Sequence, residues 1–183
     1  KPDGSSAPEI LEAPANWGDQ YGTRMRGFLH PPATGNYTFW VSGDDQVELW
    51  ISPDGDPARK QLVAKVTGFS GARQWDAAPE QKSAPLRLTA EQKVYVEVLH
   101  KESTGDDSVS VGWQLPDGKM ERPVPGGRLS APTTSAESPS KAMDSMVARF
   151  REELLAPAQA LAGQRAAEAA KGLAQLQALL NAS

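Results

Sequence analysis

Through the first two-thirds of the chain, apolar residues recur at every second position. In Asn36 to Gly43, Tyr37, Phe39 and Val41 fall on one face and Thr38 and Trp40 on the other. Val47, Leu49 and Ile51 repeat the period, as do Val94, Val96 and Val98 against Tyr95, Glu97 and Leu99. Val109, Val111 and Trp113 alternate with Ser108, Ser110 and Gly112. Shorter runs lie at Thr23 to Leu29 (Met25 and Gly27 against Arg24, Arg26 and Phe28), Gln61 to Gly68, and around Leu86 and Leu88. A period of two is the repeat of the pleat, so each run predicts a strand with one buried face. Turn signals separate the runs. In Pro53-Asp54-Gly55 and Pro116-Asp117-Gly118, Pro presets φ, Asp bonds back to its own backbone and Gly accepts a positive φ. Many short strands with such turns predict an all-β, antiparallel sandwich or barrel-like domain.

Beyond Leu129 the pattern changes. Small polar residues and prolines give way to an Ala/Leu/Gln-rich stretch with few β-branched residues. The organisation read from this is an N-terminal extension over 1–16, a β domain over 17–130, a linker over 131–140 and a C-terminal α-helical arm over 141–183. Met143, Met146, Val147, Phe150 and Leu154 follow helical spacing, and Pro157 breaks the arm into two helices. Leu161, Ala169, Leu173, Leu176 and Leu180 line the second. A lone pair of amphipathic helices has few ways to cover its apolar faces. It folds back on its own domain, pairs with a second copy or docks on a protein partner. Met143, Met146, Phe150, Leu154, Leu173, Leu176 and Leu180 are the expected contact residues.

Composition narrows the function. Of 183 residues, 39% are hydrophobic and 23% charged, enough for a packed core. A net charge of −4 and the lack of a basic cluster argue against nucleic acid as a partner. Without cysteine there are no disulfides, catalytic thiols or thiolate metal sites. The histidines, His30 and His100, are not spaced as a metal pair. No apolar run is long enough to span a bilayer as a helix. The opening residues do not have the form of a signal peptide. The expected setting is secreted, periplasmic or cell-surface, with a signal peptide already removed. No nucleophile motif or glycine-rich phosphate loop is present, so no enzyme is expected.

Two acidic pairs stand out, each just before a strand: Asp44-Asp45 and Asp106-Asp107. Hard cations such as calcium take several oxygen ligands, which vicinal carboxylates and free loop carbonyls supply. The alternative for Asp44-Asp45 is a solvated acidic turn. For Asp106-Asp107 it is a polar hairpin loop rather than a second wall of the same site. Five tryptophans are present, and indole faces either stack on sugar rings or fill cores. Trp40, Trp50 and Trp113 fall in strands; Trp75, in a loop, is the one named for stacking.

The order of these motifs is more specific than any one of them. Gly35 to Phe39 (GNYTF), the acidic loop feeding Gln46 to Ile51, the late strand VYVEVLH and the closing VGWQLPDG together resemble a PA-fourteen (PA14) domain. This β-sandwich module is named after a toxin's protective antigen and is also found in yeast flocculins, epithelial adhesins and bacterial glycosidases. The resemblance covers about residues 17–129. It implies a twisted antiparallel sandwich. In the adhesin members, two consecutive aspartates joined by a cis peptide hold a calcium ion that contacts sugar hydroxyls, and Asp44 and Asp45 fall on that motif. A late loop there adds an Asn side chain and backbone carbonyls. The corresponding Lys101 to Asp107 loop has no Asn, and Asp106 or Asp107 is the candidate substitute. The leading expectation is therefore calcium-assisted carbohydrate binding at a loop rim. The alternative is a structural or scaffold subunit that docks through its helices.

Overall fold

The computed structural model describes residues 8–132 and Lys171. The linker from residue 133 and the helical arm, with Met143, Met146, Phe150, Leu154, Leu173, Leu176 and Leu180, lie outside the described residues, except for Lys171, which is helical.

The described chain forms nine strands: β1 (Gly22–Leu29), β2 (Gly35–Asp44), β3 (Gln46–Ser52), β4 (Gln61–Val66), β5 (Leu86–Leu88), β6 (Val94–Lys101), β7 (Ser108–Gln114), β8 (Met120–Glu121) and β9 (Leu129–Ser130). They build two sheets, in the orders β4-β3-β6-β1-β9 and β5-β2-β7-β8, and every pairing is antiparallel. The apolar alternation turns Tyr37, Phe39 and Val41 of β2 into the core with Val47, Leu49 and Ile51 of β3. Val94, Val96 and Val98 of β6 and Val109, Val111 and Trp113 of β7 complete it. Each of these side chains is essentially inaccessible. Full burial of one such aliphatic or aromatic group stabilises by ~1.5–3 kcal/mol, so this layer dominates the fold.

Part of the N-terminal extension lines this domain. Ala13 N donates to Val109 O at 3.0 Å, Val111 N to Leu11 O at 2.9 Å and Leu11 N to Val124 O at 2.9 Å. Leu11 and Ala13 are core residues. The segment thereby pairs the stretch of the β7 edge that the two-residue β8 leaves open, and an unpaired edge would otherwise invite aggregation.

The connections decide where chemistry can occur. β2 belongs to one sheet and β3 to the other, with only Asp45 between them. Asp44-Asp45 is therefore the corner where the chain crosses the sandwich. A side chain at Gly43 would overlap Val47 and the Ser108 carbonyl, so only glycine fits just before the corner. The Glu102 to Asp107 loop makes the reverse crossing from β6 to β7. The register pairs Asp44 with Ser108 and Gln46 with Lys101, which sets both crossings side by side at one end. Gly22 also pairs with Lys101, and Val66 with Val47, so the segments before β1 and after β4 reach the same end.

Candidate functional site: an acidic loop rim

The Asp44-Asp45 peptide is cis, as the family resemblance implies. The Asp44 carbonyl accepts from His100 Nε2–H at 2.7 Å, which fixes that tautomer because a carbonyl can only accept. Asp45 N donates to Glu102 Oε2 at 3.2 Å, and Ser103 N donates to Asp45 Oδ2 at 2.9 Å. The two crossings are thus stitched together through their backbones, and the carboxylates are brought alongside one another.

The electrostatics of this rim are one-sided. Burial, and then the negative charges of Asp45, Asp106 and Asp107, push the Asp44 carboxyl above its ordinary value. Glu102 is likewise raised, by burial first and then by Asp45, although its bond from Asp45 N works against this. Glu102 and Asp107 are each only 2% exposed, yet Glu102 Oε1 and Asp107 Oδ1 have no hydrogen-bond partner within the protein. Beneath them His100 is 1% exposed, its Nδ1 is unpartnered, and burial holds it below the usual histidine value. It therefore stays neutral and does not offset the acids. Tyr21 packs edge-on against His100 with ring centroids 5.8 Å apart. Its hydroxyl is pushed up to about 12 by burial and by nearby Asp107, without a hydrogen bond of ordinary geometry.

The sequence-derived residues divide on this geometry. Asp44, Asp45, Asp106 and Asp107 come together, with Asp106 exposed and Asp107 buried. Trp75 is not among them. It is half-buried, and its ring lies 5.7 Å from the Arg122 guanidinium, which in turn lies 3.9 Å over Trp40. That stack covers the outer face of the four-stranded sheet at Gly112, where any side chain would displace Arg122. Glu102 is the residue that reading the motifs missed. Its signal was parity: Val94, Val96, Val98, His100 and Glu102 continue one alternation, so Glu102 turns inward like the valines before it.

These residues fit a hard divalent cation. Partnerless buried carboxylate oxygens beside two adjacent aspartates are an oxygen-rich donor set with uncompensated charge. Among the described residues, no three acidic or imidazole side chains gather tightly enough to cage an ion unaided. Backbone carbonyls of the two crossings would have to complete the shell.

The two-sheet antiparallel sandwich, with its acidic loops gathered at one end, defines an all-β module. The PA14 domain model matches residues 11–127, and the chain belongs to that family. The match starts six residues before the segment read from sequence motifs, where Leu11 and Ala13 enter the core. One relative is a Mus musculus N-acetyl-beta-glucosaminyl-glycoprotein 4-beta-N-acetylgalactosaminyltransferase 1, 44% identical over 110 residues, or 55% of this chain and 10% of the transferase. Another is Canis lupus familiaris fibrocystin, 32% identical over 54% of this chain and 3% of fibrocystin. The matched stretch is thus a small part of each relative's length. Among solved structures, an anti-sigma factor domain-containing protein from Clostridium clariflavum superposes with a TM-score of 0.51 at 26% identity, over 69% of this chain and 42% of that one.

Proposed function

We propose that this domain is a non-catalytic, extracytoplasmic carbohydrate-binding module that grips glycan hydroxyls through a calcium ion held at Asp44 and Asp45. The observation that carries the reading is the uncompensated acidity of the rim, with buried oxygens of Glu102 and Asp107 left without partners. Calcium when bound would supply open coordination positions for vicinal hydroxyls. The protein's own part is to hold the acceptors still. His100 fixes the Asp44 carbonyl, Ser103 N fixes one Asp45 oxygen, and Glu102 fixes the backbone between them. Asp106 and Asp107 would form the facing wall, with one of them as the candidate substitute for the Asn that the resemblance to adhesin members implies. Membership of the PA14 family supports the reading, as does likeness to part of an N-acetyl-beta-glucosaminyl-glycoprotein 4-beta-N-acetylgalactosaminyltransferase. The module is read as a binder.

The test is a glycan array probed in calcium and in EDTA, alongside calcium calorimetry. Calcium-dependent glycan signal that Asp45→Asn abolishes is the expected outcome. Flat arrays in calcium together with no calcium heat would overturn the reading.

A further inference from the structure

Among the described residues, four large apolar side chains are exposed: Trp17, Leu62, Phe69 and Met120. Both aromatic ones stand at the acidic rim. Trp17 is 58% exposed and Phe69 74%, yet the backbone at each is pinned. On either side of Trp17, Asn16 N donates to Asp107 O and Gly18 N to Asp107 Oδ2, both at 3.0 Å. Phe69 is bridged to Asp44, and Ser70 beside it is buried, donating its N–H to Gly43 O at 2.7 Å and accepting from Gly43 N at 2.9 Å. The segments that carry the rings are therefore bonded to the carboxylate-bearing crossings and leave the rings exposed. Burying such a ring stabilises a fold, so leaving two out at one rim forgoes stability that packing could have gained.

The sheet order sets their spacing. Across this end the order is the Phe69 segment, β2, β7 and the Trp17 segment. The Phe69 segment lies along the free side of β2 at Asp44 and the Trp17 segment along the free side of β7 at Asp107, so the two segments flank the Asp44 and Asp107 crossings. Three inter-strand spacings amount to roughly 14 Å, more than one sugar ring covers. A protein-docking patch would be continuous apolar surface. Separate flat rings on either side of an oxygen-rich centre instead suit a chain of pyranoses, each with an apolar C–H face and a rim of hydroxyls.

We infer that Trp17 and Phe69 are stacking platforms of an extended subsite, and that the ligand of this rim is a glycan of more than one ring. One sugar meets the carboxylate centre and its neighbours lie against the two aromatics. The inference rests on the glycan-binding reading, and the experiment separates the two. Wild type, Trp17→Ala, Phe69→Ala and Trp17→Tyr are compared on an array pairing single sugars with longer chains that end in the same sugar. Calcium affinity and thermal midpoint are measured in parallel. Wild type is expected to favour the longer chains, and each alanine variant to lose about five- to tenfold on those chains only. Trp17→Tyr should restore most of the loss, and calcium affinity and midpoint should stay at wild-type values. Alanine variants that bind longer chains as wild type does, or a wild type that binds single sugars equally well, would overturn the subsite and leave glycan binding standing. A variant that lost calcium or stability as well would also overturn it, by showing a structural role. A wild type silent on every glycan in calcium removes the glycan-binding reading itself, and the subsite with it.

Discussion

Strand β6 and its end carry two buried carboxylates that their surroundings treat in opposite ways. Glu97 is fully buried and surrounded by donors: Arg24 at 2.7 Å, Lys60 at 2.8 Å and the Tyr95 hydroxyl at 2.6 Å. Glu102, five residues on, is buried as deeply but faces Asp45 and Asp107, and one of its oxygens has no partner within the protein. Among the described residues, no Lys or Arg forms an ion pair with Asp44, Asp45, Glu102 or Asp107. The contrast teaches how to read buried charge here. An acid matched by cations holds sheets together. An acid set among acids, at the end where the chain changes sheets, has no such match, and the proposed function assigns it to a cation.

The sharpest way to break this comparison is to remove the matched acid. Glu97→Gln should destabilise the domain by about 3–5 kcal/mol in urea unfolding, because Arg24 and Lys60 would keep their charges in a nearly closed environment. Calcium affinity, measured where the variant is still folded, should not change. The pH dependence has a definite sign. Burial alone would raise Glu97, but the bonds from Lys60, Tyr95 and Arg24 outweigh it and hold its value below the ordinary one. Its stabilisation is therefore complete above the unfolded glutamate value of about 4.3 and is lost as pH falls through the folded value. Wild type should lose stability over that acid range more steeply than Glu97→Gln. Equal slopes would mean the network does not hold the charge as described.

The open acids should behave the other way round. Asp45→Asn keeps an acceptor for Ser103 N, so the calcium-free protein should unfold within about 0.5 kcal/mol of wild type. Calcium affinity by calorimetry should fall by about tenfold or more, because a neutral amide replaces a carboxylate in a small donor set. A variant that lost stability instead of affinity would place Asp45 with Glu97 as a structural acid.

Much of the sandwich was legible because its strands alternate cleanly, and burial confirms nearly every inward valine from β3 to β7. The N-terminal pairing was not, since Leu11 and Ala13 lie among prolines and small residues without periodicity, and only the open edge of β7 gives them a place. The site was legible in part. Asp44 and Asp45 announced themselves as an adjacent pair, and Asp106 and Asp107 joined them through register. Trp75 looked available because it lies in a loop, but no local pattern signals that Arg122, 47 positions on, stacks between it and Trp40. Trp17 and Phe69 gave no signal either. Their neighbours' bonds to Asp107 and Gly43 are long-range, and exposure of a pinned aromatic is a property of the fold rather than of the local sequence.

Glu102 offers the finest cut, because its roles in folding and in binding should carry opposite signs. Gln at this position can still accept from Asp45 N, so the stitch between the two crossings survives. What disappears is a buried negative charge beside Asp45 and Asp107, with an oxygen that nothing in the protein satisfies. In EDTA, Glu102→Gln should therefore be more stable than wild type, by about 1 kcal/mol at neutral pH. In calcium the order should narrow or reverse, since the wild type gains more from the ion than the variant does, by mass action on the folded state. Urea unfolding of both proteins with and without calcium measures all four quantities. A variant less stable than wild type in EDTA would mean that Glu102 is satisfied within the fold, and the distinction between Glu97 and Glu102 would collapse.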